Sequence, residues 1–233
     1  MARIPGIKTV VCDADDTLWE NEPLFREAER RWAGVLSDYG SLEGLSRELY
    51  STEDKNMEDL GYGAKAYMIS IMETTLRVTG GKVTGEQMGK ILPTLRDIIH
   101  NPAVPYPGVA ETLETLHSRG EYTLVMFTKG DLLDQEHKVE RSGLGKWFHR
   151  VKVTSWKSAK EFSALCDELG VEPEEMVSVG NSFKSDIAPM LEIGGWGIYV
   201  PSKEIWEHEK AEEFDHPRLK RVSEFREILD YLG

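Results

Sequence analysis

The chain has 233 residues, enough for one large domain or two modest ones, and 40% of them are hydrophobic, which excludes a disordered composition. A formal net charge of −13, from 41 acidic against 28 basic residues, repels nucleic acid and anionic lipid, so neither is an expected partner. The opening MARIPGIK has no apolar targeting core and no stretch approaches about 18 apolar residues, which reads as a soluble, cytoplasmic protein.

Thr9–Cys12 is a short β-branched apolar run and reads as a buried strand. Residues 21–100 then read as helices, with Leu24, Ala28, Trp32 and Leu36 at helical spacing in Pro23–Ser37. Leu42–Asp54 and Lys65–Thr79 follow. A fourth helix starts at Thr84, with Gln87 three residues on, and is expected to kink or break at Pro93. The proline-rich His100–Gly108 closes this all-α segment.

Helices and strands then alternate. Helix Val109–Arg119 leads to strand Thr123–Phe127, and helix Leu132–Arg141 to strand Val151–Val153. Helix Ala159–Leu169 leads to strand Met176–Val179, and helix Asp186–Glu192 to strand Trp196–Val200. Lys203–Phe214 reads as a charged surface helix or loop, and Glu224–Leu232 as a final helix. Such alternation implies an α/β fold with a parallel sheet. The first strand has no sheet of its own and must join the later ones. Residues 1–20 and 101–233 are therefore expected to form one α/β core domain, with 21–100 inserted as an all-α cap over the strand ends.

Chemistry-bearing residues fall where strands end, and ligands of open α/β sheets bind beyond the carboxyl ends of the strands. Asp13 and Asp15 follow the first strand in DADDT. One suits attack and the other proton transfer, and a bound metal would relieve their repulsion. Thr128 closes the second strand, before Lys129 and Gly130, where a hydroxyl and backbone N–H groups can take phosphoryl oxygens. Lys157, after the third, supplies positive charge. Its position before the helix favours it over Lys160 within the helix, and Lys129 is a further rival. Asn181 and Asp186, in GNSFKSD after the fourth strand, offer oxygens to a hard cation. Cys12 and Cys166 lie far apart in apolar settings and read as free thiols.

In this order, the acidic strand end, the strand-end Thr, the Lys before a helix and the Gly-Asn-Ser-x-x-Ser-Asp loop resemble the four motifs of the haloacid dehalogenase superfamily. The resemblance spans the chain and extends to YPGV at Tyr106–Val109 and the RSGL turn at Arg141–Leu144. It implies a Rossmann-like sheet of order 3-2-1-4-5 with a helical cap between the first two motifs. Asp15, two residues after the first Asp, places the chain with phosphatases and phosphomutases rather than dehalogenases.

The resemblance also implies roles. Asp13 attacks phosphorus to give an aspartyl-phosphate, and Asp15 protonates the leaving oxygen and then activates water. Mg²⁺ is bound by Asp13, the Asp15 backbone carbonyl, Asn181 and Asp186, while Thr128, Lys129 and Lys157 hold the phosphoryl group. Asn181 departs from the family, which more often has Asp there, and Ser185 stands where Asn is frequent. Tyr62 and Lys65, in the glycine-rich DLGYGAKAY of the insert, are the candidates for contacting the rest of a small phosphorylated substrate. The expected function is a Mg²⁺-dependent phosphatase of a small phosphomonoester. The alternatives are a phosphomutase resembling β-phosphoglucomutase and a non-catalytic binding protein on the same fold.

Overall fold

The structure, a computed structural model, describes residues 3–233. One parallel sheet organises it. Its strands are β1 (Thr9–Cys12), β2 (Thr123–Lys129), β3 (Arg150–Thr154), β4 (Met176–Gly180), β5 (Trp196–Tyr199) and β6 (Leu219–Arg221). Their spatial order is β3-β2-β1-β4-β5-β6. β1 lies in the middle, paired from Thr9↔Thr123 to Cys12↔Met126 on one side and from Thr9↔Met176 to Cys12↔Val179 on the other. All four of its residues are buried, as its apolar run requires.

Side chains alternate across the strand. Val10 and Cys12 join the apolar cluster that includes Leu113 and Leu116 of α5 (Val109–Arg119). Val11 joins the cluster on the opposite face, with Phe162 and Leu165 of α7 (Ala159–Leu169). The expected order 3-2-1-4-5 is present, and β6 extends it by one strand. β6 carries the sequence Leu-Lys-Arg and lies at the sheet edge, where a three-residue charged strand leaves no apolar pattern to read.

Four helices lie between β1 and α5: α1 (Glu22–Val35), α2 (Leu42–Leu60), α3 (Ala64–Val78) and α4 (Gly85–Ile99). They enclose an apolar cluster of their own around Trp32, Leu36, Leu49, Ile71, Ile91 and Leu95. The indole N–H of Trp32 donates to Thr75 Oγ1 at 2.8 Å inside it. α2 runs six residues past the expected end and stops at Gly61, in the left-handed region at φ 69°.

α4 continues through Pro93 instead of breaking there. Pro93 and Gly89, whose carbonyl loses its donor, are both exposed, so water can serve that carbonyl. Ile91, Thr94, Leu95 and Ile98 are buried around them and hold the helix to its neighbours.

Near the C-terminus, a π turn over Phe183–Ile187 precedes α8 (Ala188–Glu192), so the helical stretch starts earlier than the expected Asp186. Residues 203–214 form an irregular strap with one 3₁₀ turn, Glu207–Glu209. The expected final helix divides into a 3₁₀ turn, Phe225–Ile228, and α9 (Leu229–Leu232). No helix among the described residues is long and apolar enough to cross a membrane.

Candidate active site

The C-terminal ends of β1, β2 and β4 open into a cavity of about 150 Å³. α1, α2 and α3 and the strap form its other wall. At its floor, Lys157 Nζ donates to Asp13 Oδ1 at 2.5 Å and to Asp186 Oδ1 at 2.7 Å. The Lys157 side chain is 1% exposed. Ser158 caps α7 in a reciprocal box with Glu161, which fixes the helix start just beyond Lys157. Lys160, three residues on, is exposed.

Asp186 folds back over the end of β4 and accepts from Ser182 N at 2.9 Å. That return needs Gly180, because a Cβ there would stand 2.2 Å from Asp186 Oδ2. Thr17 Oγ1 lies 3.0 Å from Asp13 Oδ2 and 3.1 Å from Asn181 Oδ1, so its single proton serves one of them at a time. It accepts from Asn181 N. The Asn181 amide also donates to Ser202 Oγ at 3.2 Å. Buried Thr128 lines the cavity beside Lys129.

Burial first and the Asp186 charge second push the Asp13 carboxyl up to about 7, against the pull of Lys157. Burial works against the Lys157 ammonium, but the two carboxylates outweigh it and hold Lys157 above its ordinary value. Two acids around one lysine leave the cluster with excess negative charge. Its donors are all oxygens: both carboxylates, the Asn181 amide and nearby backbone carbonyls.

A hard divalent cation fits that set. No group of three or more His, Cys, Asp or Glu side chains among the described residues forms a ready metal cage. Mg²⁺ does not need one, since it binds through one or two carboxylates and completes its shell with water and phosphate.

Asp15 points to the other side of the turn. It accepts from Trp19 Nε1 at 2.7 Å, from Gln135 Nε2 at 2.8 Å and from Lys138 Nζ at 2.8 and 3.0 Å. Gln135 and Lys138 belong to α6 (Leu132–Ser142), where Lys138 also pairs with Asp134 at 3.3 Å. Asp16 makes the turn itself. It adopts φ 59°, a region that Asp tolerates, and its carboxylate accepts the N–H groups of Asn21 and Glu22 at the start of α1. Burial pushes it up to about 7, against those hydrogen bonds.

Lys129 reaches into the cavity, where its ammonium donates to Ser185 Oγ at 2.8 Å and to Glu209 of the strap. Ser182 and Ser185 also donate to Glu209. Against the cost of burial, Lys129 and these hydroxyls hold Glu209 below its ordinary value. Tyr62 lies over Lys129, 4.0 Å from ammonium to ring centre, with its edges against Trp156 and Trp206.

Lys65 is exposed, does not line the cavity and pairs with Asp131 at 3.5 Å. Asp131 also accepts from Lys65 N at 3.1 Å and so caps α3 from across the interface. Gly63 permits the approach, since a Cβ there would stand 2.8 Å from Asp131 Oδ2.

The structure thus gathers Asp13, Lys157 and Asp186 into one ion-paired group. It sets Asp15, Thr128, Lys129, Asn181 and Tyr62 around the same cavity and leaves Lys65 outside. Sequence reasoning missed Lys138, Gln135 and Trp19 around Asp15, as well as Glu209 of the strap and Glu22 and Glu53 of the insert. The Asp134–Lys138 spacing of four was the only signal for any of them, and surface ion pairs share it.

Fold and site together define a Rossmann-like α/β protein with a lysine-bridged acidic centre at its strand ends. The chain belongs to the haloacid dehalogenase-like hydrolases, whose family model matches residues 7–194. It is 27% identical over 230 residues to the glyceraldehyde 3-phosphate phosphatase of Methanopyrus kandleri, covering 96% of each chain. It is 28% identical to the protein of the same name from Methanothermobacter thermautotrophicus, over 96% of this chain and all of that one. A solved haloacid dehalogenase-like family hydrolase from Xanthomonas campestris is 33% identical, with a TM-score of 0.85 over 97% of this chain and 93% of that one.

Proposed function

We propose that this hydrolase is a Mg²⁺-dependent phosphatase that cleaves a small phosphomonoester through an aspartyl-phosphate on Asp13. In this reading residues 1–20 and 101–233 are the hydrolase core and residues 21–100 the cap that closes over the ester. The observation that supports it most is Lys157 bridging the buried Asp13 and Asp186 at 2.5 and 2.7 Å on the cavity floor. A carboxylate at a strand end is thereby held beside a fixed ammonium in a site shielded from water, which suits in-line attack on phosphorus.

Asp13 Oδ forms the bond to phosphorus as the ester oxygen leaves. Asp15 gives that oxygen a proton, then takes one from the water that hydrolyses the intermediate. Thr128 and Lys129 orient the phosphoryl oxygens, and Lys157 offsets their charge. Asp13, Asp186, the Asp15 carbonyl and Asn181 would hold Mg²⁺, which would supply further positive charge for the phosphoryl group. Tyr62 closes the site over Lys129.

The names of the relatives make glyceraldehyde 3-phosphate the first ester to try. The test is inorganic phosphate release across a panel of phosphomonoesters, with Mg²⁺ and again after chelation. Release that needs Mg²⁺ is expected. Release that survives chelation removes the metal from the account, and phosphoryl transfer to a second substrate hydroxyl without release makes the protein a mutase.

A further inference from the structure

We infer that Gln135 holds the water that hydrolyses the aspartyl-phosphate, its side-chain oxygen accepting a hydrogen bond from the proton that Asp15 does not take. The inference rests on the phosphatase reading and adds a residue to its second step.

Gln135 lies on α6, lines the cavity with Asp15 and is 2% exposed. Its amide nitrogen is fully used: Nε2 donates to Asp15 Oδ2 at 2.8 Å and to the Lys129 carbonyl at 3.0 Å. Two acceptors at one end of the amide fix which end is nitrogen. Gly130 lets that end lie against the end of β2, since a Cβ there would stand 3.0 Å from Gln135 Nε2. The other end, Oε1, is buried without a partner among the described residues. A buried acceptor left unmet is costly, and an amide fixed in this way cannot turn to relieve it.

The hydrolytic step has a use for that oxygen. Water attacks in line with the bond from Asp13 to phosphorus, from the side the ester oxygen has left, which is the side Asp15 serves. The water oxygen forms the new bond to phosphorus. The bond from phosphorus to Asp13 breaks, and its electron pair returns to the carboxylate. One water proton passes to Asp15. The other stays on the oxygen as the hydroxyl of the product phosphate, and a hydrogen bond from it to Gln135 Oε1 orients the water for attack.

Trp19 and Lys138, the other side-chain partners of Asp15, can only donate. Asp134 Oδ1 is also buried and unmet, but Asp134 pairs with Lys138 rather than with Asp15. Among the described residues, Gln135 is the partner of Asp15 that has an acceptor to offer.

Gln135→Met removes the acceptor while Trp19 and Lys138 still hold Asp15. The substrate is the ³²P-labelled alkyl ester that turns over fastest in the panel above, whose leaving oxygen needs the Asp15 proton. Rapid quench then separates formation of label on Asp13 from its decay. Formation should stay within about twofold of wild type and decay should slow on the order of 10²-fold, so that labelled protein accumulates. Methanol gives a second readout. Its one proton goes to Asp15 and needs no further acceptor, so the ratio of methyl phosphate to inorganic phosphate should rise in the variant.

Equal losses in formation and decay with an unchanged ratio would make Gln135 a support for Asp15 alone and overturn the inference. Decay at the wild-type rate overturns it too, as does slower formation with a raised KM and normal decay, which would put the ester on Gln135. Each of these leaves the phosphatase reading standing. Label that forms in the variant shows that it is folded, and Gln135→Ala is read in the same way if the Met variant does not fold. No label in the wild-type protein removes the aspartyl-phosphate and this inference together.

Discussion

Two buried lysines flank the turn after β1, and each stands between two aspartates. Lys157 lies between Asp13 and Asp186, with its side chain 1% exposed, and Lys138 between Asp15 and Asp134, 3% exposed. The first group is assembled by the sheet: its members arrive from the ends of β1 and β4 and the loop after β3, and meet only when the strands pair. The second is mostly one turn of α6 docked against Asp15. Both groups set two carboxylates around one ammonium, and in the proposed function the sheet-built one faces the phosphoryl group. In the helix-built group, three neighbours hold Asp15 in one orientation. In the proposed function the same charge pattern would serve bond making on one side of the turn and proton placement on the other.

Charge removal on the two sides should separate these tasks. Asp13→Asn should lower kcat by about 10⁴-fold or more, because the attacking oxygen is lost. Lys157→Ala should cost about 10³-fold, while Lys160→Ala, at an exposed position, should stay near wild type. Equal small losses in the two lysine variants would break the assignment of Lys157.

Lys138→Met should cost about 10²-fold or less, mainly in kcat, because it acts through Asp15. A double-mutant cycle with Asp15→Asn sharpens this point: if Lys138 only positions Asp15, its removal should add little once Asp15 is changed. Full additivity would give Lys138 a separate function.

The smallest effect is in stability. Glu53 is raised by burial to about 8, so between its unfolded value near 4.5 and 8 the folded chain binds more proton than the unfolded one. Its contribution to stability therefore falls as pH rises through that window. Glu53→Gln should raise Tm by a few degrees, on the order of 2–4 °C, at pH 8 and leave it unchanged near pH 4.5, as read by thermal unfolding. A Tm gain at both pH values would point to packing rather than charge.

The same contrast accounts for what could be read before the fold was known. Asp13, Thr128, Lys157 and Asp186 sit where strand patterns end, so the topology that brings them together is implied by the alternation of strand and helix. Asn181 is legible for the same reason, next to Gly180. Lys138 and Gln135 lie within a helix whose polar residues look alike, and only the docking of α6 selects them.

Glu53 and His208 come from an inserted helix and an irregular strap. The strap has no periodicity, and the Leu45–Leu49–Thr52 stripe of α2 marks the face toward the helical cluster without singling out Glu53. β6 escaped because three residues of Leu-Lys-Arg carry no alternation, and the continuity of α4 because exposure of Pro93 is a tertiary fact. Lys65 is a cation near glycines in the sequence, yet it turns outward to Asp131 while Tyr62 turns in.

The central claim is that Asp13 carries the phosphoryl group. Rapid acid quench of the protein turning over a ³²P-labelled ester, followed by peptide mapping, tests it directly. The expected result is transient label on the peptide containing Asp13 in the wild-type protein and none in Asp13→Asn. Label on another residue, or phosphate release by Asp13→Asn at the wild-type rate, would contradict it.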